Sequence, residues 1–230
     1  MDLIWEGLRE AARLLARGDD AVYSTAARSL YVSGLATLLS LAGGVWLGTF
    51  LAYQRFPGRA LALTLVNTGM GLPPVAVGLV VAIILWRSGP LGRLELIYTP
   101  WAMVIAQMVL TLPIVTGFTA AALQAQKPGL RLQLYGIGAS RLQALWILLK
   151  EARLPIVAAV MAAFGAAISE VGASMMVGGN IAGETRVLTT AVVLETSRGE
   201  FGPAIALSVI LVGLVFLVNL VLTSVQLREG

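Results

Sequence analysis

Glu170 is the residue whose position most directly raises a question of chemistry. It is the one charged residue in the stretch 154–178, which otherwise consists of apolar and small polar residues. A carboxylate inside a membrane segment is costly, and such residues commonly mark ion pathways or proton relays. Coupled ion transport relies on paired ionisable groups at this depth. Because Glu170 stands alone in its stretch, the sequence argues against an ion-coupled transporter or channel.

Other chemistries are restricted by the residue types that the sequence lacks. It contains no cysteine and no histidine, which removes disulfides, thiolate chemistry, zinc sites and histidine acid–base catalysis. It contains no G-x-x-x-x-G-K-[ST] run, the loop that cradles ATP phosphates. An intramembrane enzyme would be left with serine–lysine chemistry, yet Lys127 and Lys150 lie outside the apolar stretches. We therefore expect neither a cofactor, a metal site nor a catalytic site in this chain.

The composition is that of a membrane protein. Of the 230 residues, 58% are hydrophobic and 12% are charged, and the mean hydropathy is +0.87. Soluble domains have about 25% charged residues. A net charge of +4 could indicate nucleic-acid binding in a soluble protein, but basic residues that flank membrane spans explain it here. The sequence predicts an all-α, polytopic membrane protein that lies in a lipid bilayer and binds no nucleic acid.

Five apolar stretches reach the length of about 20 residues that a membrane span needs. They are residues 29–53, 60–86, 101–125, 154–178 and 202–225. Segments that contain glycine and basic residues, and in three of the four cases proline, separate them. The predicted organisation is an N-terminal segment (1–28), a transmembrane domain (29–225) that contains a long loop (126–153), and a C-terminal tail (226–230).

The distribution of basic residues predicts an orientation. Five spans place the two termini on opposite sides of the membrane. If loop 126–153 is cytoplasmic, most basic residues of the loops lie inside, as the positive-inside rule requires. Four arginines of the segment 1–28 then lie outside and weaken the bias. We expect a multi-pass protein of the inner or plasma membrane, with its N-terminus outside and its C-terminus in the cytoplasm.

The N-terminal segment has an amphipathic pattern. Residues 3–17 place leucine, isoleucine and alanine near one helical face, whereas Glu6, Arg9, Glu10 and Arg13 lie largely elsewhere. The pattern predicts a helix that lies in the membrane interface or against the helical bundle. A lead-in helix without a role of its own is the alternative.

Loop 126–153 is long and apolar for a cytoplasmic connection. The sequence predicts a helix over Leu130–Leu149 that is interrupted at Gly136 and Gly138, where the glycines allow a tight turn and a close approach by another protein. Exposed apolar surface of this extent favours docking into a groove of a partner. Packing of the loop on its own bundle is the alternative.

The residues around Gly138 resemble a known motif. Gly138-Ala139-Ser140, followed by Leu154-Pro155 and Glu170-Val171-Gly172-Ala173, is similar to the coupling loop of binding-protein-dependent ABC permeases. The family has Glu-Ala-Ala where this sequence has Leu132-Gln133-Leu134, and its Leu-Pro falls four residues earlier. The resemblance implies that a separate ATPase contacts a set of coupling-loop residues: Tyr135, Gly136, Gly138, Ala139, Ser140, Arg141, Leu154 and Pro155.

A second group of residues carries a more specific resemblance. Ser169 through Ala173, Gly179-Asn180-Ile181 and Gly183 through Leu188 resemble the molybdate, tungstate and sulfate permeases. The run from Met175 to Asn180, with Glu195-Thr196 and Gly199-Glu200-Phe201, is most similar to the tungstate branch. The family-motif residues are Glu170, Gly172, Asn180, Thr185 and Arg186.

This resemblance implies a fold, a set of partners and a function. The implied fold is that of a type I ABC importer permease, with about five transmembrane helices and a cytoplasmic coupling helix. The implied partners are a second copy of this chain, a cytoplasmic ABC ATPase dimer that binds the ATP, and an external oxyanion-binding protein. The expected function is ATP-driven import of tungstate by alternating access. Molybdate and then sulfate are the alternative cargoes, and an ion-coupled secondary transporter or channel is the alternative class.

A doubly charged oxyanion would need weak, reversible contacts along its path. A fixed cation would bind it too tightly for release, whereas hydroxyls, amides and free backbone N–H groups bind anions weakly. The candidate residues are Thr64, Asn67, Thr68, Thr111, Thr116, Ser169 and Ser174. Pro73, Pro74 and Pro113 are expected to break helices within spans and to free backbone groups. Ordinary hydrogen bonding within the membrane is the alternative for each, and hydrophobic gating by residues 64–75 is a further prediction.

The same argument bears on Glu170 and on the packing of the spans. Because a carboxylate in the path would repel an anion, we expect Glu170 to cap a backbone group or to pair with Arg186. Gly44 and Gly48 have the G-x-x-x-G spacing of closely packed membrane helices, either within one chain or between two copies. The polar loop 178–201 is expected to receive a binding protein, or to be a solvated loop with a short helix over Val187–Leu194.

Overall fold

The computed structural model describes residues 2–127 and 129–229, and every regular element within these ranges is helical. The helices are α1 (Asp2–Arg17), α2 (Asp20–Tyr53), α3 (Arg59–Gly69), α4 (Pro74–Leu85), α5 (Pro100–Gln124), α6 (Leu130–Gly136), α7 (Arg141–Glu151), α8 (Arg153–Ile168), α9 (Gly172–Gly178), α10 (Leu188–Ser197) and α11 (Phe201–Glu229). A 3₁₀ turn spans Gly92–Leu94. This confirms the all-α fold class expected from the composition.

Two of the predicted membrane passages are bent pairs of helices rather than single spans. Each of α2, α5 and α11 is long and apolar enough to cross a bilayer alone. The helices α3 and α4 form a pair bent by 106°, and α8 and α9 form a pair bent by 57°. Counting each pair as one passage gives the five passages that the sequence predicts. The break between α8 and α9, at the position of Glu170, was not expected from the sequence.

The first long helix begins earlier than its apolar stretch. The sequence predicts a span from residue 29, whereas α2 begins at Asp20. The side chain of Asp19 caps this start by accepting a hydrogen bond of 3.0 Å from the backbone N–H of Val22. A hydropathy criterion cannot detect this polar first part of the helix, because it counts apolar residues and not caps.

Proline breaks one passage and not another. After Leu72, Pro73 lies in extended conformation and Pro74 is the first residue of α4, so the expected break at this point is confirmed. The expected break at Pro113 is wrong, because α5 continues through it from Pro100 to Gln124. A proline inside a helix costs about 3 kcal/mol. Here α5 packs on α2, α3, α4, α8 and α9, and this packing offsets the cost.

Small residues bring α2 and α5 into close contact at the centre of the bundle. A Cβ atom on Gly44 would lie 2.7 Å from Cβ of Val115, and a Cβ atom on Gly48 would lie 2.6 Å from the carbonyl oxygen of Thr116. The G-x-x-x-G spacing therefore serves packing within one chain, which was one of its two interpretations. Helix α5 is therefore the central helix, and it contacts α2, α3, α4, α8 and α9.

The N-terminal helix packs against the last helix. A Cβ atom on Gly7 of α1 would collide with the side chain of Ile205 in α11, and Ala11 is buried in the same cluster as Leu188 and Ala206. The amphipathic N-terminal helix thus packs against the helical bundle, which is one of the two positions predicted from the sequence. At the other end, α11 extends to Glu229 and includes most of the predicted tail.

Candidate functional site

The turn between α6 and α7 contains the Gly-Ala-Ser motif. Gly138 has φ +88°, in the left-handed region that glycine adopts without strain, and a Cβ atom there would meet nothing within 4 Å. Ser140 caps α7 with a reciprocal pair of hydrogen bonds: its hydroxyl accepts from the N–H of Gln143, whose side chain accepts from the N–H of Ser140. The motif is therefore a glycine-dependent turn followed by a well-defined helix start.

The loop 126–153 has an inner face that packs on the bundle. Leu134 of α6 and Leu148 of α7 are buried in one cluster with Leu123 of α5. The side-chain amide of Gln126 donates a hydrogen bond of 2.7 Å to the carbonyl of Leu148 and accepts one of 3.2 Å from the hydroxyl of Tyr53. These contacts anchor the loop on the ends of α2 and α5.

The outer face of the same loop is apolar and exposed. Leu132 is 74% exposed, Ile137 81%, Leu142 80% and Trp146 69%. Exposed apolar surface of this kind marks interaction sites. Packing on its own bundle is thus confirmed for the inner face, and docking into a partner stays a prediction for the outer face.

The loop leads directly into the fourth passage. Helix α7 ends at Glu151 and α8 begins at Arg153, so that Ala152 alone separates the two helices. Leu154 and Pro155 lie exposed in the first turn of α8, where proline is tolerated because the N–H groups of a first turn lack partners within the helix. Helices α7 and α8 are therefore joined by a single residue.

Glu170 lies in the break between α8 and α9. Its Oε1 accepts a hydrogen bond of 2.7 Å from the backbone N–H of Ala173, and its backbone carbonyl accepts one of 3.0 Å from the hydroxyl of Thr189. The residue is 8% exposed. The structure thus shows the backbone cap that was one of the two arrangements expected, and Arg186, the partner in the other arrangement, binds Asn180 instead.

The start of α9 packs directly on α4. A Cβ atom on Gly172 would lie 2.5 Å from Cγ2 of Val75, and a Cβ atom on Gly78 would lie 2.6 Å from Cα of Ala173. Glycine is therefore required at both contacts, because neither position has room for a side chain. The bend at Glu170 is thereby joined to the first turn of α4, next to Pro73 and Pro74.

The outer connection 179–187 is held by a network of buried hydrogen bonds. The hydroxyl of Thr185, which is fully buried, donates to the carbonyl of Gly178 and accepts from the N–H of Ile181 at 2.9 Å. Asn180 has φ +53°, and the Arg186 guanidinium donates to its side-chain oxygen and to its carbonyl, each at 3.3 Å. Three residues of the family motif therefore stabilise one turn.

Residues of α2 that the sequence did not single out complete this turn. The guanidinium of Arg28 donates to the carbonyls of Arg186, at 2.9 Å, and Gly183, at 2.7 Å. The hydroxyl of Ser29 accepts from the N–H of Leu188 at 2.8 Å. No local signal could have identified these contacts, because more than 150 positions separate the partners. The predicted helix over Val187–Leu194 is observed as α10.

The candidate path residues divide into an exposed and a buried group. Thr64, Asn67 and Thr68 of α3 are exposed, as are Pro73, Pro74 and Ser169. Thr111 is fully buried between α2 and α5, where its hydroxyl pairs with that of Ser40 at 2.7 Å and donates to the carbonyl of Gln107. Pro113 packs against Gly69. The structure therefore assigns Thr111 to hydrogen bonding within the bundle, and α3 provides an exposed polar face.

A further polar pair lies in the interior, between α5 and α9. Gln107 is 2% exposed and donates from Nε2 to the hydroxyl of Ser174 at 3.3 Å, which joins α5 to α9. The Gln107 side-chain oxygen has no hydrogen-bond partner among the described residues. Within those same ranges, no group of acidic residues has the arrangement of a metal site.

Comparison with known protein families gives a match over most of the chain. The family described as "Binding-protein-dependent transport system inner membrane component" matches residues 44–228. The chain belongs to this family. The permease is therefore an inner-membrane subunit of an ABC transporter, as the resemblance of its motifs implied.

Three related proteins indicate which kind of transporter within the family the chain is similar to. The permease is 40% identical, over 98% of its length and 99% of the relative's, to "Tungstate uptake system permease protein TupB" of Peptoclostridium acidaminophilum. It is 42% identical to a "Probable anion ABC transporter permease protein" of Haloferax volcanii, over 85% of its length and 87% of that chain. Identity to "Molybdenum transport system permease protein ModB" of Escherichia coli K12 is 30%, over 76% of the permease and 81% of ModB.

A solved structure shares the fold. The crystal structure of an amino acid ABC transporter with histidines matches with a TM-score of 0.62 and covers 94% of the permease and 95% of that chain. Sequence identity is 16%, so this likeness concerns the fold alone. It confirms the ABC importer permease fold that the sequence predicted.

Proposed function

We propose that this chain is the permease subunit of an ATP-driven importer that moves tungstate into the cytoplasm. The observation that carries the proposal is the identity to a tungstate uptake permease along nearly the whole chain. The geometry is compatible with it, because the residues that resemble the oxyanion-permease motif (Glu170, Gly172, Asn180, Thr185 and Arg186) hold the bend between α8 and α9 and the outer turn. These residues shape the scaffold around the path rather than bind the anion themselves.

Energy for transport comes from a separate ATPase. The permease has no phosphate-binding loop of its own. The exposed apolar face of the coupling loop, formed by Leu132, Ile137, Leu142 and Trp146, is the docking surface for that ATPase. Burial of such side chains at a protein interface is strongly favourable because each removes a large apolar area from water. The coupling-loop residues Tyr135 through Arg141 shape this surface.

A second copy of the chain completes the path. The Thr64 hydroxyl of α3 already donates to the carbonyl of Ala60 at 3.0 Å. The exposed face of α3 would nevertheless be costly in contact with lipid, because the Asn67 amide and the Thr68 hydroxyl would lose their water. Facing the same surface of a second copy, it lines a polar route whose neutral donors bind an oxyanion weakly. Apolar residues of the same segment, Leu65 and Leu72, close this route when the two copies approach.

Alternating access follows from the connections between these elements. ATP binding draws the two ATPase subunits together, and with them the coupling loops around Gly138. The displacement passes through Ala152 to α8, through the bend at Glu170 to α9, and from α9 to α4 at the Gly172–Val75 contact. Hydrolysis then resets the elements, so that the path opens alternately to the two sides.

The proposed orientation places the coupling loop in the cytoplasm and the N-terminus outside. Arg55, Arg59, Lys127 and Lys150 then lie on the cytoplasmic side, as the positive-inside rule favours. The outer turn 179–187 and the connection 87–99 face the opposite side and receive the oxyanion-binding protein.

Substrate identity is tested by anion-dependent ATP hydrolysis. The permease, its ATPase and its binding protein are reconstituted in nanodiscs, and hydrolysis is measured with tungstate, molybdate or sulfate. We expect tungstate to stimulate hydrolysis at the lowest concentration, followed by molybdate. Stronger stimulation by molybdate would assign the chain to its alternative cargo, which the identity to ModB favours as the second candidate. Hydrolysis that no anion changes would contradict the proposal.

A further inference from the structure

A groove of about 510 Å³ separates the cytoplasmic end of α2 from the coupling loop. Two arginines and a set of aromatic residues line it. The arginines are Arg131 and Arg141, and the aromatic residues are Trp46, Phe50, Tyr53 and Tyr135. Within the described part of the chain, no acidic residue lines the groove. Its lining is therefore cationic and aromatic.

Arg131 is held in place by the two tyrosines. Its guanidinium carbon lies 4.8 Å from the centre of the Tyr53 ring and 5.6 Å from that of Tyr135, within the range of cation–π contacts. Its Nε donates to the Tyr135 hydroxyl at 3.1 Å. Across the described residues, Arg131 and Arg141 form no ion pair. Both positive charges are thus available to a ligand, and one of them is preorganised.

The aromatic side of the groove faces away from the bundle. Trp46 and Phe50 lie two residues after Gly44 and Gly48, which pack on α5, so they project from nearly the opposite side of α2. Trp46 is 69% exposed and Phe50 43%. Their rings stack with centroids 6.3 Å apart, and Phe56 adjoins Phe50 at 5.4 Å. Aromatic residues at the end of a membrane helix are typical of the lipid–water interface.

The groove shares Tyr135 and Arg141 with the coupling-loop residues, but the exposed apolar face that docks the ATPase does not line it. Arg141 and Leu145 of α7 line it, whereas Leu142 and Trp146, one position further along the helix, are the residues exposed on the outer face of the loop. Successive residues on a helix point about 100° apart. The groove therefore lies at the side of the coupling loop, next to the membrane surface.

We propose that this groove binds the headgroup of an anionic phospholipid of the inner leaflet, such as phosphatidylglycerol. The two arginines bind the phosphodiester, for which guanidinium groups are well suited, and Trp46 and Phe50 contact the glycerol and upper acyl chains. A zwitterionic lipid fits less well, because its ammonium group meets a surface that is already positive. The bound lipid bridges α2 and the coupling loop. The choice of leaflet rests on the orientation proposed above.

Trp46 provides an intrinsic probe of this site. Trp5, Trp86, Trp101 and Trp146 are replaced by phenylalanine, and the purified chain is reconstituted in phosphatidylcholine vesicles that contain brominated phosphatidylglycerol or brominated phosphatidylcholine in both leaflets. We expect brominated phosphatidylglycerol to quench Trp46 with an apparent preference of about 30-fold, the order that two arginines at an anionic surface supply. Since both leaflets carry the quencher, this result is independent of the orientation of the chain.

Two variants that remove the same charge distinguish lipid binding in the groove from a general attraction of the positively charged loop to anionic lipid. The double variant Arg131→Gln/Arg141→Gln should lose the preference for phosphatidylglycerol. The control Lys127→Gln/Lys150→Gln removes the same charge from the same loop, but not from the residues that line the groove, and should retain the preference. Equal quenching by the two lipids, an absence of quenching by either, or an equal loss in both double variants would overturn the proposal.

Two further measurements keep the test decisive. Sodium tungstate or inorganic phosphate at millimolar concentration should leave the quenching unchanged. If either abolishes it, the groove binds a soluble oxyanion and the lipid assignment is wrong. Should the four-fold tryptophan variant fail to assemble, native mass spectrometry of the chain with all five tryptophans gives the same answer. Phosphatidylglycerol should remain bound to that chain and be lost from Arg131→Gln/Arg141→Gln, and equal retention would overturn the proposal.

Discussion

The carboxylate of Glu170 accepts a hydrogen bond of 2.7 Å from the backbone N–H of Ala173. This bond spans the 57° bend between α8 and α9 and satisfies an N–H group that would otherwise be buried without a partner. Thr189 of α10 donates to the Glu170 carbonyl, and Gly172 packs on Val75 of α4. Glu170 therefore connects α8 with α9 and α10 through its hydrogen bonds, and α4 packs beside it on Gly172.

Two substitutions at Glu170 distinguish the contribution of its hydrogen bond from the contribution of its negative charge. Glu170→Gln retains an oxygen acceptor and should leave the assembly and transport largely intact. Glu170→Ala leaves the N–H of Ala173 unpaired and should destabilise the chain by about 1–3 kcal/mol. Thermal unfolding of the purified chain in detergent measures the difference. The exposed acid Glu184 supplies the control, since Glu184→Gln should change neither stability nor transport. A Glu170→Gln importer that assembles and hydrolyses ATP but transports nothing would show that the charge itself is needed.

Gly138 tests the coupling turn. Gly138→Val places a β-branched residue at φ +88°, which costs about 1–2 kcal/mol and shifts the conformational equilibrium of the turn by about 5–30-fold. We expect uptake to fall while the ATPase subunit on its own hydrolyses ATP normally. Gly34→Val is the matched control: this glycine, within α2 and outside the coupling loop, has the same open space but is not among the glycines with positive φ. Normal uptake by Gly138→Val would contradict the coupling-loop assignment.

Two glycines of α2 differ in their surroundings: Gly48 contacts α5, and Gly34 has open space around it. Substitution by alanine should therefore have opposite effects on stability at the two positions. A Cβ atom at Gly48 would lie 2.6 Å from the carbonyl oxygen of Thr116, so Gly48→Ala should destabilise the chain by about 1–3 kcal/mol through overpacking. Gly34 lies in the same helix with nothing within 4 Å, so Gly34→Ala should stabilise it by up to about 1 kcal/mol. Thermal unfolding compares the pair. Equal tolerance of both substitutions would argue against the α2–α5 contact.

Accessibility of α3 tests the proposed path. The chain contains no cysteine, so single cysteines can be introduced without removing others. Cysteines at positions 64–75, including Asn67→Cys and Thr68→Cys, should react with a water-soluble maleimide at rates that change when ATP is trapped on the ATPase. Thr111→Cys, at a fully buried position, should remain unreactive in both states. Rates through 64–75 that are the same with and without trapped ATP would remove α3 from the path.

Composition and spacing were sufficient to predict the all-α membrane fold and its passages. The length of an apolar stretch predicts whether it can cross the membrane. The pair Pro73 and Pro74 predicts a break, because a proline ring clashes with the preceding turn of a helix. The continuous course of α5 through Pro113 could not be predicted, since it depends on the helices that surround α5. The bend at Glu170 was missed for a related reason. Its cap is made by a side chain three residues before the N–H group that it binds, within a stretch that reads as one apolar span.

The site was predicted in part. The Gly138 turn and the exposed face of the coupling loop follow from local patterns of glycine and apolar residues. The contacts of Arg28 with the outer turn join residues far apart in the sequence, and no single-sequence pattern reports such a pair. Thr111 illustrates the opposite error. A hydroxyl in a membrane helix suggests a polar path, but this one hydrogen-bonds to Ser40 inside the bundle.

The central claim is tested most directly by uptake of tungstate into vesicles. The permease is reconstituted in proteoliposomes with its ATPase, the binding protein is supplied outside, ATP is enclosed, and internal tungsten is measured by mass spectrometry. Tungsten should accumulate against its gradient only with ATP and binding protein present, and excess molybdate should compete more strongly than sulfate. Uptake that proceeds without ATP, or accumulation of molybdate or sulfate in preference to tungstate, would contradict this account.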